Sequence, residues 1–243
     1  MKNFYNNFFI EADLHTHSII SNHASSTLNE HIKRIKDLNM KGLALTNHGP
    51  LYEDGGNIAY FSALRNLPDK IDGIDFYSGA EADIIDYDGK VDIDNVTLAG
   101  LKWVIASIHT NCLKRNSQAL ITASYIGAIS NPYIHCLGHI GQTYYECDFE
   151  KVVKAAKEHN KVIEINNSSL KGLRPGSREL CYKVARLCKT YDVKVCVVSD
   201  AHSHNETGIF DYAKSLLEDA MFPYELIINR KNDEFKDFLK TIN

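Results

Sequence analysis

The sequence has no Cys-x-x-Cys pair. Its six cysteines, Cys112, Cys136, Cys147, Cys181, Cys188 and Cys196, are scattered. That spacing excludes a zinc ribbon and a thioredoxin-type redox motif, and it reads as buried, reduced thiols. No apolar run is long enough to cross a bilayer. The N-terminus, Met-Lys-Asn-Phe-Tyr-Asn-Asn, has no apolar stretch before Glu11 and does not read as a secretory signal; the expected compartment is the cytoplasm, with no membrane partner. An excess of one charge is also missing, since 27 Lys and Arg face 31 Asp and Glu for a formal net charge of −4. This speaks against a general nucleic-acid binder, which shows a basic face. It does not speak against a small anionic partner, because bound cations would supply positive charge. No linker, repeat or low-complexity segment interrupts the chain.

What remains is ordinary for a folded chain of 243 residues: 44% hydrophobic and 24% charged residues, enough to bury a sizeable core. Short apolar runs alternate with helical periods. Strands are expected over 8–14, 42–46, 76–85, 103–108, 133–137, 162–165 and 193–198. Helices are expected over 28–38, 57–66, 117–129, 149–159, 178–189 and 207–220. Ser26 or Thr27 is placed to cap the first helix, and Glu30 stands three residues after Thr27 in capping-box spacing. Asp88-Gly89, between extended residues, suggests a hairpin insertion. The tail holds one more extended run over 226–229 and a terminal helix around 235–239. About seven βα units imply a parallel sheet in one domain spanning 1–243. An open, doubly wound sheet gives a similar pattern. A TIM-like α/β barrel is favoured for two reasons. No Gly-x-Gly-x-x-Gly follows the first strand, and polar residues stand at the C-terminal end of nearly every strand, where a barrel gathers its site.

Histidine is plentiful, with 11 residues, several of them at the ends of apolar runs. Asp13-Leu14-His15-Thr16-His17 places two imidazoles two apart on an extended segment, on one face. Alone this is a weak signal. Thr46-Asn47-His48, Gly79-Ala80-Glu81, Ser107-Ile108-His109, Gly138-His139-Ile140-Gly141 and Ser199-Asp200-Ala201-His202 then recur in or at the ends of later strands, and His23 follows the first motif in a loop. The nine candidate metal ligands are therefore His15, His17, His23, His48, Glu81, His109, His139, Asp200 and His202. A nitrogen-rich set with two carboxylates suits zinc, iron or manganese. One ion needs three or four protein ligands, so nine are enough for two or three divalent ions, particularly if a carboxylate bridges.

These motifs, in this order, resemble the polymerase-and-histidinol-phosphatase (PHP) superfamily over nearly the whole chain, closest to its small stand-alone phosphatases with a trinuclear zinc site. Glu164-Ile-Asn-Asn-Ser-Ser169 resembles the same branch. The resemblance implies a distorted (β/α)₇ barrel. It also implies roles: His15 and His17 share one ion with Asp200 and Glu81, Glu81 bridges to a second ion held by His109 and His139, and His23, His48 and His202 hold a third. Ile140 departs from the family, in which Pro often follows the fifth-strand histidine; it offers no ligand atom, so the assignment stands.

Other residues carry weaker expectations. His135 is read as a packed interior histidine, and His31 and His159 as solvated positions on helices. His204 is read as supporting the ligands or touching the substrate. Asp13 either orients a ligand or makes a structural hydrogen bond. The expected chemistry is in-line attack of metal-bound hydroxide on a small phosphomonoester, with Glu81 and Asp200 as catalytic carboxylates and the fork of Arg174 gripping the phosphate; Lys171 and Arg178 are lesser candidates. Competing readings are an exonuclease or phosphodiesterase on nucleic-acid ends, an amidohydrolase, and a non-catalytic metal-binding domain. The amidohydrolase reading lacks its bridging lysine, since Glu81 takes that slot, and a degenerate domain would have lost ligands that are all present here. Substrate identity, native metal and any homo-oligomeric state are not legible.

Overall fold

The structure, a computed structural model, describes residues 8–171 and 177–242. Seven parallel strands form a nearly closed barrel: β1 (Ala12–Asp13), β2 (Gly42–Leu45), β4 (Ile74–Asp83), β5 (Trp103–Ser107), β6 (Cys136–Leu137), β7 (Val162–Asn166) and β8 (Val195–Val198), neighbours in that order. A two-residue strand, β3 (Lys70–Ile71), pairs antiparallel to β4 outside this path. The connecting helices are α1 (Leu28–Asp37), α2 (Ile58–Leu64), α3 (Asn95–Leu98), α4 (Gln118–Ser130), α5 (Phe149–Glu158), α6 (Ser177–Thr190) and α7 (Asp211–Asp219), followed by the terminal α8 (Asn232–Ile242). This is the α/β barrel that the alternation of strand and helix patterns implies.

Local chemistry accounts for several boundaries. The Thr27 side chain accepts from Glu30 N while the Glu30 carboxylate accepts from Thr27 N, a complete capping box that starts α1. Asn57 and Ser117 cap α2 and α4 in the same way, each accepting from the backbone N–H three residues on. The expected hairpin is present: Ile84 bridges Val91 antiparallel, and Gly89 turns the chain at φ +86°. The expected helix over 207–220 begins only at Asp211, because Gly208 adopts φ +76° and its N–H is taken by Asp13 Oδ2 at 2.9 Å.

The barrel interior is apolar at its lower end. Trp103, Ile105, Val162 and Cys196 are fully buried there, and α8 closes that end by inserting Phe235 edge-on against Trp103 and Tyr77, at 5.2 Å and 4.8 Å between ring centroids. Five cysteines are buried and Cys112 is partly exposed; all six are free thiols. The Sγ atoms of Cys136 and Cys196 lie 3.7 Å apart.

Between β8 and β1 the ladder is incomplete, and the seam is closed in two ways. At the top, His17 N donates to Ala201 O (2.8 Å) and Asp200 N donates to His15 O (3.0 Å). At the bottom the tail enters the gap, not as the extended run expected over 226–229, since Tyr224–Leu226 is a 3-10 turn and 228–229 turn again, but through single contacts: Ile227 bridges Val195 in parallel, and Glu11 N donates to Asn229 O at 3.1 Å. The buried Asn229 amide then behaves as a peptide group. Its Nδ2 donates to Ala12 O (2.8 Å) and Val197 O (2.6 Å), and its Oδ1 accepts from Val197 N (3.0 Å). This explains why the expected strand over 8–14 shortens to two residues: the N–H groups of Glu11 and Ala12 are spent on the tail. No helix among the described residues is long and apolar enough to cross a membrane.

Candidate metal centre

Every parallel strand delivers polar groups to the top of the barrel. Glu81 lies near the end of β4, with both neighbours in register beside it: His48 forms an isolated parallel bridge with Glu81, and Ile105 of β5 pairs with it on the other side. His15 and His17 follow β1, His109 follows β5, His139 follows β6, and Asp200 and His202 follow β8. Two of these positions are strained. His139 (φ +28°) and Asp200 (φ +54°) both have left-handed backbone conformations, which side chains with a Cβ adopt at a cost of order 1–3 kcal/mol and which cluster at functional sites.

Around Glu81 Oε2 the spacing is that of a coordination shell. His15 Nε2 lies 3.0 Å from His17 Nε2, 3.4 Å from Glu81 Oε2 and 3.7 Å from Asp200 Oδ1; His17 Nε2 lies 3.6 Å from Glu81 Oε2 and 3.2 Å from Asp200 Oδ1. Ligands about 2.0–2.2 Å from one tetrahedral ion stand about 3.3–3.6 Å from each other, so these four atoms fit around one cation. Glu81 Oε1 faces another pair, His139 Nε2 at 2.9 Å and His109 Nε2 at 3.5 Å. Above them the rings of His17, His48, His23 and His202 stack, with centroids 4.2 Å apart for His17 and His202, 4.6 Å for His23 and His202, and 5.3 Å for His23 and His48.

Glu81 Oε2 is the informative atom. It is buried, it has three imidazole nitrogens within 3.6 Å, and it makes no hydrogen bond; His48 Nδ1, 2.8 Å away, is not oriented for one. A buried carboxylate oxygen without a donor is costly. A cation shared with the surrounding nitrogens removes that cost, so the residues present fit divalent metal ions. The compact groups His15–His17–Glu81, His48–Glu81–His109 and His17–His48–His202 each hold their ligand atoms close enough for one ion. His23 is placed beside the third of these groups and not inside it.

The electrostatics follow from this packing. Burial alone would raise the Glu81 and Asp200 carboxyls, but the imidazoles around them hold both well below the usual range. Burial would lower His15, yet Glu164, Glu81 and Asp200 hold it well above its ordinary value. Burial together with His48 and His202 pushes His17 well down, which leaves a neutral imidazole to coordinate.

Three supporting residues have no role in the sequence reading. Glu164 Oε1 accepts from His15 Nδ1 at 2.7 Å, and Glu164 Oε2 accepts from His139 N at 2.9 Å. Asp83 Oδ1 accepts from His109 Nδ1 at 2.6 Å, and the Gln142 amide reaches His139 Nδ1. Glu164 and Asp83, as acceptors, leave Nε2 of His15 and His109 unprotonated toward the centre, and Gln142 does the same for His139 when its carbonyl oxygen is the atom turned to the ring. The signal for Asp83 is the alternation that pairs His15 with His17: Asp83 is two residues beyond Glu81 on the same strand.

The remaining expectations divide. His135 is packed in the interior, 2% exposed, with Nδ1 accepting from Val104 N, and His159 is exposed. His31 is not solvated; it is fully buried, its Nε2 donating to His17 O (3.0 Å) and its Nδ1 accepting from the Thr207 hydroxyl (2.7 Å). The cause is helix geometry, since His31 shares with Ile35, four residues on, the inward face of α1. His204 Nδ1 meets Ser26 Oγ at 2.9 Å. Asp13 makes structural bonds, accepting from Ser199 N and Gly208 N, and burial raises its carboxyl to about 6. Lys171 is paired with Glu206 and Arg178 with Asp219. Arg174 lies outside the described residues.

A parallel barrel with a histidine–carboxylate cluster at its C-terminal mouth belongs to the class of barrel metalloenzymes. Within that class, residues 13–170 match the PHP domain family, and the chain belongs to it. It is 44% identical over 232 residues to a probable phosphatase of Caldicellulosiruptor saccharolyticus, covering 96% of this chain and 97% of the relative. It is 40% identical over 228 residues to a probable phosphatase of Clostridium botulinum, covering 94% and 93%. Among solved structures it is similar to histidinol phosphate phosphatase from Lactococcus lactis, complexed with zinc, L-histidinol and phosphate, with a TM-score of 0.60 at 15% identity over 88% of this chain and 95% of that one.

Proposed function

We propose that this chain is a metal-dependent phosphatase that hydrolyses a small phosphomonoester. The observation that carries the reading is Glu81, whose two oxygens face two separate sets of imidazole nitrogens around one cavity of about 270 Å³. In this reading His15, His17, Asp200 and Glu81 hold one ion, and Glu81 extends to a second with His109 and His139. His48 and His202, with His23 beside them, hold a third. Zinc suits this nitrogen-rich set, and the related phosphatases from C. saccharolyticus and C. botulinum support the reaction class. The bound ions supply Lewis acidity toward the phosphoryl oxygens and lower the pKa of water. The chain supplies the rest. Glu164, Asp83 and Gln142 hold the imidazoles in the orientation that directs Nε2 inward. Glu81 and Asp200 keep their negative charge in a buried place. Arg174, which follows the sixth barrel strand in sequence, is the proposed phosphate anchor.

The test is a panel of phosphomonoesters, assayed on a preparation whose metal content is measured by elemental analysis. Two to three ions per chain and turnover of at least one monoester are expected. A fully metal-loaded protein with no turnover above the blank on any monoester would overturn the reading.

A further inference from the structure

Among the described residues eight side chains line the cavity; seven are in the proposed ligand set, and the eighth is Tyr52. Its ring lies flush on the His48 imidazole, with centroids 3.8 Å apart and planes 8° from parallel, and stands edge-on to His109 at 5.0 Å. The position is built, not incidental. Tyr52 N donates to Gly49 O (3.2 Å), Gly55 N donates to Tyr52 O (2.9 Å), and Leu51 N is held by Asp92 Oδ2 (3.0 Å). A Cβ on Gly55 would stand 1.9 Å from Gly49 O, so the turn that carries Tyr52 admits only glycine there.

The chemistry of the lining leaves this phenol a distinct task. Carboxylates only accept hydrogen bonds, and of the lining imidazoles His109, His139 and His202 have Nδ1 engaged by Asp83, Gln142 and the Asp200 carbonyl. A phosphoryl group at the ions keeps acceptor sites that such a lining does not satisfy. The Tyr52 hydroxyl makes no hydrogen bond to any described residue.

On the phosphatase reading, we propose that Tyr52 is a catalytic residue whose hydroxyl donates a hydrogen bond to a non-bridging oxygen of the substrate's phosphoryl group. The proton stays on the phenol throughout, and the ring fixes the donor by stacking on His48.

The test compares wild type with Tyr52→Phe, which keeps the ring and removes the donor. Two quantities are read: kcat/KM on the best monoester, and the affinity of metal-loaded protein for inorganic phosphate by calorimetry. A hydrogen bond to a charged group predicts a loss of roughly 10- to 100-fold in kcat/KM. A weakening of phosphate binding in the same direction, with metal content unchanged, is also expected. Inorganic phosphate carries only the phosphoryl part of the substrate, so unchanged phosphate affinity in Tyr52→Phe overturns the assignment, whatever happens to turnover. If the wild type turns over no monoester, the phosphatase reading fails separately, and the calorimetric comparison still decides whether Tyr52 meets phosphate. Tyr52→Leu, which also removes the stack, is expected to lower metal content at the His48 position; Tyr52→Phe is not.

Discussion

Replacing Glu164 by glutamine changes no volume and should still weaken the metal centre. Three N–H donors converge on this carboxylate: His15 Nδ1 at 2.7 Å and Asn166 Nδ2 at 3.1 Å on one oxygen, and His139 N at 2.9 Å on the other. An amide offers one oxygen and one NH₂. If its oxygen faces His15, the NH₂ is forced against the His139 N–H, at a residue whose backbone is already strained. If its NH₂ faces His15, the imidazole must accept at Nδ1 and carry its proton on Nε2, the atom that faces Glu81 and Asp200. Either choice loses one charge-assisted bond, about 1.5–3 kcal/mol. That matches the 10- to 100-fold loss of metal affinity typical of such orienting partners. Competition with a chelating indicator measures the affinity directly, and urea denaturation of the metal-free protein separates it from folding. A variant that binds metal within twofold of wild type would refute the argument that Glu164 sets the His15 tautomer.

Three further outcomes are expected. Glu81→Gln should lower kcat/KM more than His23→Ala at matched metal occupancy, because Glu81 faces both inner nitrogen sets and His23 only stacks beside the outer one; equal losses would contradict those roles. Asn229→Asp should cost at least as much stability as Asn229→Ala, roughly 3–5 kcal/mol, because a carboxylate cannot donate to Ala12 O and Val197 O and adds a buried charge; a denaturation midpoint close to wild type would show that the seam does not need this amide. Burial lowers His31 to about 4, so between about pH 6.5 and 4 the unfolded chain binds a proton that the folded chain refuses. The contribution is complete above the unfolded value and is lost as pH falls, by about 2 kcal/mol near pH 5. The cost of His31→Gln should shrink by that amount between pH 7 and pH 5, and a constant cost would refute the linkage.

The clustering of the candidate ligands was legible in the sequence because they obey two local rules: strand residues alternate sides, and a barrel exposes strand ends at one mouth. His15, His17, Glu81, His109, His139 and Asp200 all follow from these rules. Their supporting residues were less legible because the pairing is long-range; nothing near His15 announces that its partner is Glu164. His31 was misjudged because the inward face of α1 was not projected onto that position, although Ile35 marks it. The seam was visible only as an extended run in the tail, and the use of Asn229 as a surrogate peptide group depends on a gap between β8 and β1 that no local pattern reveals.

That seam orders events in the life of the chain. Of the first ion's proposed ligands, His15 and His17 stand on one side of the seam and Asp200 on the other, with Ser199, beside Asp200, bonded to His15 across 184 positions. A nascent chain therefore displays His15 and His17 long before Asp200 exists. The strands at either side of the gap have no stable edge until residue 229 has left the ribosome. Contacts of such sequence separation form late and slowly. On the proposed ligand set, metal capture in the finished geometry would thus follow synthesis of the whole chain. Chains interrupted before the tail would lack the Asn229 contacts that close the seam beside His15 and Asp200.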